Sequence, residues 1–200
     1  RSIGYVLQEG GLFPHRSIAD NIATVPRLEG ATKQASRERA LELLELVGLD
    51  REMADRYPAQ LSGGQRQRVG VARALANRAD ILLMDEPFGA LDPIVRAELQ
   101  RELKEIQRAL GTTILFVTHD VDEAFTLGDQ VAVLSTGGRI EQVGTPTELL
   151  SSPASPFVAE FVGASRAARP VRVAGPGGLV VDDAGTPVGT LTTDEAGERP

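Results

Sequence analysis

The sequence has no cysteine, no long apolar run and fewer basic than acidic residues. The lack of cysteine excludes disulfide bonds, catalytic thiolates and zinc sites built on cysteine. No apolar stretch approaches the ~20 residues that a membrane-spanning helix needs. No signal peptide opens the chain, which begins at Arg1, as expected of a fragment or a processed product. The 21 Lys and Arg against 28 Asp and Glu give a net charge of −7, which argues against nucleic acid as a partner.

The pattern of apolar residues predicts an α/β fold. Three continuous apolar runs without polar alternation predict strands buried on both faces, as in a mostly parallel sheet. They cover residues 81–84, 113–117 and 131–134, and an earlier strand is predicted at 3–7. Helices are predicted between and after these strands, at 17–25, 36–47, 66–76, 93–110, from 146 and from 156 to 162. Strands that alternate with helices are typical of the α/β class.

Start and stop residues support the predicted helices. Ser36 is expected to cap the helix at 36–47, and Pro26 to stop the one at 17–25. Asp92 is expected to cap the helix at 93–110, which Gly111 closes. Thr145 begins a capping box before the next helix.

The segment Leu61–Gln65, with the sequence LSGGQ, directly precedes a predicted helix. Glycines at Gly63 and Gly64 let backbone N–H groups approach a ligand closely, and a helix N-terminus favours negative charge. The segment is therefore a candidate phosphate site. The alternative is a helix capped by Ser62 after a flexible turn.

Two adjacent carboxylates, Asp85 and Glu86, follow the apolar strand at 81–84. Open α/β sheets bind ligands at the carboxyl ends of their strands. Asp85 is therefore a candidate Mg²⁺ ligand, and Glu86 is placed to orient or deprotonate a water molecule. The alternative is that both carboxylates cap the following turn. His119 ends the next strand and is a candidate contact for a phosphoryl group, unless it is a structural residue.

These residues, in this order, resemble the ATP-binding subunit of ABC transporters. Gln8 stands at the position of the family's Q-loop glutamine, Leu61–Gln65 is its signature motif, and Asp85–Glu86 is its Walker B pair. Residues 90–92 match its D-loop, and His119 matches its switch histidine.

The resemblance implies a P-loop NTPase-like fold with a helical signature subdomain at about residues 15–75, and ATP and Mg²⁺ as cofactors. It implies catalytic roles for Glu86 and His119 and metal binding by Asp85 and Gln8. The residues that it assigns to nucleotide binding are Gln8, Ser62, Gly63, Gly64, Gln65 and Asp92. Two subunits of the family face head to tail, with each ATP between one subunit's phosphate loop and the other's signature motif.

One departure from the family is the P-loop, G-x-x-x-x-G-K-[ST], which the family carries upstream of the Q-loop. Neither of the two lysines, Lys33 and Lys104, lies in such a motif. We therefore expect an ABC ATPase domain that is incomplete at its N-terminus, and a 200-residue chain that does not bind ATP alone.

Residues 11–26 and 143–163 also resemble the importers of osmoprotectants such as glycine betaine, choline and proline. We expect a partial ATPase domain at 1–163, a linker at 164–178 and a tail at 179–200 that resembles part of a CBS module. The resemblance implies permease subunits, a second ATPase subunit and, indirectly, an extracytoplasmic solute-binding protein as partners. It also implies a peripheral position at the cytoplasmic face of the plasma membrane.

Three alternatives remain open from the sequence. One is an importer ATPase for another solute, such as a polyamine, an amino acid or sulfate. A second is an ABC ATPase that acts on DNA or the ribosome, which the short interval between Gln8 and Ser62 disfavours because it has no heptad repeat. A third is an inactive fragment.

Overall fold

The computed structural model describes residues 2–89, 91–163, 171–173, 179–182 and 187–190. Its contacts divide the chain into two compact units, Arg1–Leu127 and Gly128–Pro200. In chain order, the first unit contains β1 (Ile3–Val6), α1 (Ile18–Ile22), α2 (Thr24–Leu28), α3 (Lys33–Leu46), α4 (Gly63–Leu75), β2 (Ile81–Asp85), α5 (Pro93–Leu110), β3 (Thr113–Val117) and α6 (Val121–Leu127). Short 3₁₀ turns cover Gln8–Gly11, Arg51–Asp55 and Pro58–Gln60.

The sheet of this unit is parallel, with the strand order β1-β2-β3. Val6 pairs with Met84, and Asp85 pairs with Val117. The carboxyl ends of the three strands therefore lie at one edge of the sheet. The α/β fold predicted from the sequence is confirmed.

The core of the first unit lies on one face of this sheet. Val6, Leu82 and Met84 point into it and are at most 2% exposed. On the opposite face, Leu115 is 63% exposed and Val117 is 60% exposed. The prediction of strands buried on both faces is therefore wrong for β3, because the described elements cover only one side of it.

A close approach between β1 and α4 joins the sheet to the helices. A Cβ atom added at Gly4 would lie 2.2 Å from the backbone oxygen of Ala74. Only glycine fits a contact between backbones at this distance. Residues 15–75 contain α1 to α4 and no strand. That they form a separate subdomain stays a prediction.

Helix caps explain where the predicted boundaries succeed and where they fail. Asp92 caps α5, and Gly111 ends it in the left-handed conformation at φ 63°, as predicted. The predicted cap at Ser36 is wrong, because Thr32 caps α3 and the Ser36 hydroxyl donates to Thr32 O over 2.7 Å. Pro26 does not stop a helix. It lies in the first turn of α2, where no backbone N–H is required.

The second unit begins with an antiparallel hairpin of β4 (Val131–Ser135) and β5 (Arg139–Gly144). The prediction that residues 131–134 belong to a parallel sheet is therefore wrong, and β5 is missed. Gly137 and Gly138, at φ 83° and 76°, make the tight turn that folds the chain back. Only Val133 of β4 is buried.

The hairpin is followed by α7 (Pro146–Ser151) and α8 (Pro156–Phe161). Thr145 caps α7 as predicted, and Ser155 caps α8. The last described elements, β6 (Val171–Val173), β7 (Leu179–Asp182) and β8 (Pro187–Thr190), pair in antiparallel order.

Much of the predicted linker and tail lies outside the described residues, so the domain boundary near residue 163 and the CBS-like tail stay predictions. In the described ranges, no helix is both long and apolar enough to cross a bilayer.

Candidate active site

The two predicted carboxylates lie where β2 ends. Asp85 is the last residue of the strand and is exposed. Glu86 follows it with a φ of 42°, the left-handed region that residues with a side chain rarely occupy. Its N–H donates to Val117 O over 2.9 Å, which ties this unusual turn to the end of β3.

His119 lies beside Glu86, two residues after β3 ends. Its Nδ1 is 3.0 Å from Glu86 Oε1. The His119 side chain is 76% exposed and that of Glu86 is 35% exposed. The pair can therefore exchange a proton or orient a water molecule while the imidazole stays open to a ligand. The structure thus brings two of the predicted residues into direct contact.

A hydrogen-bond network holds the segment of His119 next to the start of α5. Arg96 contacts Asp120 Oδ2 at 3.4 Å and Leu91 O at 3.3 Å. Asp120 in turn accepts from the N–H of Glu123 at 3.1 Å, in the first turn of α6. Arg96 therefore bridges the loop before Asp92 and the loop after His119. Sequence reasoning did not single it out.

The predicted phosphate segment forms the start of α4. Ser62 Oγ accepts from the N–H of Gln65 at 3.2 Å, and Gln65 Oε1 accepts from the N–H of Ser62 at 3.0 Å. This capping box confirms the capped-helix alternative as local structure. It leaves the first two helical N–H groups, of Gly63 and Gly64, without an intrahelical partner.

The two signature glycines lie in different surroundings. A Cβ atom at Gly64 would lie 2.8 Å from Val95 Cγ1, so Gly64 is required for α4 to pack against α5. A Cβ atom at Gly63 would meet Leu91 at an ordinary 3.5 Å. Packing within the protein therefore explains why residue 64 is glycine. It does not explain why residue 63 is glycine.

Asp92 is already engaged as the cap of α5. Its Oδ1 accepts from the N–H of Ile94 at 3.2 Å and of Val95 at 3.1 Å. Among the described residues, no hydrogen bond joins the Ser62–Gln65 segment to the Glu86–His119 pair. The site thus consists of two groups, one at the sheet edge and one at the start of α4.

Gln8 begins a turn that follows β1 at the same sheet edge, and the position of its side chain lies outside what the structure describes. The turn is bound by Arg73 of α4, whose guanidinium donates to Gly10 O and Gly11 O. Burial lowers the pKa of Arg73 below its usual range. No local sequence signal singles out Arg73, because its partners lie 62 and 63 positions earlier in the chain.

The described site residues provide some, but not all, of the groups that would bind a nucleotide and a divalent cation. Among the described residues, no cluster of three or more His, Asp or Glu side chains has the arrangement of a metal site. Asp85, Glu86 and His119 present two carboxylates and an imidazole at the sheet edge. The start of α4 supplies backbone donors for an anion.

Comparison with known proteins identifies relatives of the chain. The ABC transporter family profile matches residues 1–89. The glycine betaine/carnitine/choline transport ATP-binding protein of Bacillus subtilis is 56% identical over 83% of this chain and 43% of its own length. The glycine betaine uptake system ATP-binding protein of Escherichia coli is 53% identical over 82% of this chain and 53% of its own length. A sulfate/thiosulfate import ATP-binding protein of Brucella melitensis is 54% identical over 86% of this chain and 48% of its own length.

A solved structure shows the same architecture. It is a dimeric ATP-binding cassette in a post-hydrolysis state, bound to ADP and Pi, with a TM-score of 0.61 and 36% identity. The match covers 72% of this chain and 62% of that chain. The chain spans about half the length of the curated relatives it matches. Its sequence motifs, parallel sheet and relatives agree that the chain belongs to the ABC transporter family.

Proposed function

We propose that the protein containing this chain is the ATP-hydrolysing motor subunit of an ABC importer for quaternary ammonium osmoprotectants. The observation that carries the proposal is the contact of Glu86 with His119 at the carboxyl end of the parallel sheet. The close relatives named as glycine betaine, carnitine and choline transport ATP-binding proteins support the solute class.

The chemistry proposed for the sheet edge follows from the placement of three side chains. Asp85, exposed at the end of β2, presents a carboxylate, a ligand type that Mg²⁺ prefers. Glu86 accepts a proton from, or orients, a water molecule next to its half-exposed carboxylate. His119, held at 3.0 Å from Glu86, fixes that carboxylate and presents its exposed ring to a phosphoryl oxygen. A bound Mg²⁺ would supply charge neutralisation for the phosphates.

The start of α4 is proposed to act on ATP held by a second subunit. The free N–H groups of Gly63 and Gly64, at the positive end of a 13-residue helix, suit an anionic γ-phosphate. The Ser62 hydroxyl keeps its capping bond to Gln65 and retains a donor for the ligand. Roles for Gln8 and Asp92 in nucleotide binding are proposed from the family pattern.

The partners proposed for the whole protein are permease subunits, a second ATPase subunit and an extracytoplasmic solute-binding protein. The proposed location is the cytoplasmic face of the plasma membrane. The dimer of the related cassette bound to ADP and Pi supports the second subunit. The names of the relatives as transport proteins support the permease.

Sulfate import is a second candidate, because a sulfate/thiosulfate import ATP-binding protein is 54% identical over 86% of this chain. Solute uptake by cells that lack the gene, measured before and after the gene is returned, distinguishes the osmoprotectant importer from the sulfate importer. Return of the gene should restore uptake of labelled glycine betaine or choline and leave sulfate uptake unchanged. Restoration of sulfate uptake alone would replace the first candidate with the second.

The mechanism is tested by Glu86→Gln in the full-length protein. The substitution keeps the shape of the side chain and removes the carboxylate that engages water, so turnover should fall by about 100-fold or more while ATP binding persists. ATP-bound dimers should then accumulate. Steady-state ATPase rates and size-exclusion chromatography with Mg·ATP measure both effects.

The matched control is Glu52→Gln, which makes the same change at an exposed position of a 3₁₀ turn. It should leave turnover and dimer formation unchanged. Near wild-type turnover in Glu86→Gln would show that another group is the base. The absence of ATP binding in the wild-type full-length protein would favour the inactive alternative.

A further inference from the structure

The turn at Gln8–Gly11 is fastened to α4 by one arginine. Arg73 Nη1 donates to Gly11 O at 2.8 Å, and Arg73 Nη2 donates to Gly10 O at 2.9 Å. The planar guanidinium thus binds two successive carbonyl oxygens with its two terminal nitrogens. Hydrogen bonds from a charged donor are stronger than those between neutral groups. Two such bonds from one guanidinium fix both the distance and the orientation of the turn relative to α4.

A contact between backbones reinforces these two hydrogen bonds one helical turn earlier. A Cβ atom at Gly70 would lie 3.0 Å from Gly10 Cα and 3.2 Å from Gly10 O. A Cβ atom at Gly10 would lie 2.7 Å from Arg66 O. The turn therefore rests directly on the backbone of α4. Gly10 and Gly11, at φ 78° and 53°, give the turn the conformation that directs both carbonyls to Arg73.

The two segments joined in this way carry residues from different halves of the site. The turn begins with Gln8, and α4 begins after Ser62. Because α4 is continuous from Gly63 to Leu75, the part of the helix that contacts the turn and its first residues belong to one element. The contacts lie within the first compact unit.

We propose that Arg73 is a positioning residue that makes the Gln8 turn and α4 move as one body, so that a change at one half of the site reaches the other half. In an ABC dimer, the two halves of one subunit would face two different ATP molecules. Arg73 would then couple the two ATP sites. We call the two hydrogen bonds from Arg73 to the Gln8 turn, with the backbone contact between that turn and α4, the clamp. The clamp is a property of this chain, whereas its role in coupling ATP sites rests on the proposed function.

The clamp is tested first by amide hydrogen exchange on the full-length protein without nucleotide. In Arg73→Met, the amides of residues 8–12 should exchange about tenfold faster than in the wild type, because two charged-donor bonds are lost. The amides of Val69 to Leu75 should keep their exchange rates. Arg73→Lys, which reaches one carbonyl as a point charge, should fall between the two.

Two further variants separate the clamp from general stability. Gly70→Ala keeps Arg73 but pushes Gly10 away, and it should also accelerate exchange at residues 8–12. Arg101→Met, at a mostly exposed ion pair with Glu105 on α5, should change nothing at residues 8–12. A uniform acceleration across α4 and the turn in Arg73→Met, or no change at the turn, would overturn the clamp.

The coupling is tested in the full-length protein by the effect of Mg·ATP on the same amides. In the wild type, Mg·ATP should protect both residues 8–12 and the first turn of α4. In Arg73→Met, protection at the two segments should no longer occur together, and kcat should fall about tenfold while KM for ATP changes less than about twofold. Unchanged joint protection would overturn the coupling. If Mg·ATP has no effect in the wild type, the proposed function fails, and the exchange rates without nucleotide still decide the clamp.

Discussion

Asn21 provides a sharp test of how the segment after the Gln8 turn is held. The side chain is fully buried, with 0% exposure, and makes four hydrogen bonds. Its Oδ1 accepts from the N–H of Phe13 at 2.7 Å, and the two protons of its Nδ2 are shared among the carbonyl oxygens of Phe13, Arg16 and Ser17. One side chain thus holds both ends of the loop before α1.

The effect of Asn21→Ala follows from which of these groups keep another partner. Phe13 O also accepts from the N–H of Arg16, and Ser17 O also accepts from the N–H of residue 21. Within the described residues, the N–H of Phe13 and Arg16 O have no other partner. Asn21→Ala leaves these two groups without a hydrogen-bond partner, at a cost of about 1–2 kcal/mol each. The free energy of unfolding should therefore fall by about 2–4 kcal/mol.

Urea unfolding followed by circular dichroism measures this loss. Asn77→Ala is the matched control, because Asn77 is half-buried and its side chain makes no hydrogen bond among the described residues. Asn21→Asp keeps the shape but directs carboxylate oxygens at carbonyl groups, so it should be at least as destabilising at pH 7. If Asn21→Ala lowers the free energy of unfolding by less than about 0.5 kcal/mol more than Asn77→Ala does, the N–H of Phe13 and Arg16 O do not depend on Asn21 for their stabilisation.

Three further changes test the packing and the caps. Gly4→Ala should destabilise the first unit by about 3 kcal/mol or more in urea unfolding, because the new methyl group meets the backbone oxygen of Ala74 at 2.2 Å; normal stability would exclude that close approach. Ser62→Ala should lower the free energy of unfolding by about 1 kcal/mol through loss of the helix cap, and Ser62→Thr should restore most of it. The N–H and hydroxyl of Thr145 donate to Glu148 and lower the pKa of that carboxyl below its ordinary value of 4.5. Its stabilising effect is therefore present above the ordinary value and lost as the pH falls through the lowered one, so a pH series should show a loss of stability in acid that is smaller in Glu148→Gln.

Local signals predicted the parts of the fold that depend on neighbouring residues. The cap at Asp92 and the end of α5 at Gly111 are properties of a few successive residues, and the structure has both. The meeting of Glu86 and His119 is also foreseeable, because each follows a parallel strand at the same sheet edge. The roles assigned to these site residues stay predictions.

Contacts between distant residues could not be predicted in the same way. Arg73 is 62 positions from Gly11, and nothing in its local sequence identifies a backbone carbonyl as its partner. The second strand of the hairpin, β5, was missed for another reason. In Arg139–Gly144, polar residues interrupt the apolar ones, and the turn at Gly137 was the better signal. The apolar run at 131–134 suited a parallel sheet equally well, and only tertiary pairing decided between them.

The backbone of Glu86 has a consequence for any attempt to make this protein more heat-resistant. A residue with a side chain at φ 42° raises the energy of the folded chain by about 1 kcal/mol, and glycine would remove that strain. Glu86→Gly should therefore melt at a higher temperature than the wild type while it lacks the carboxylate proposed to engage water. A library screened for thermal resistance alone would enrich glycine at this position and discard the proposed base. Directed evolution of the full-length protein for heat resistance therefore needs an activity screen in every round.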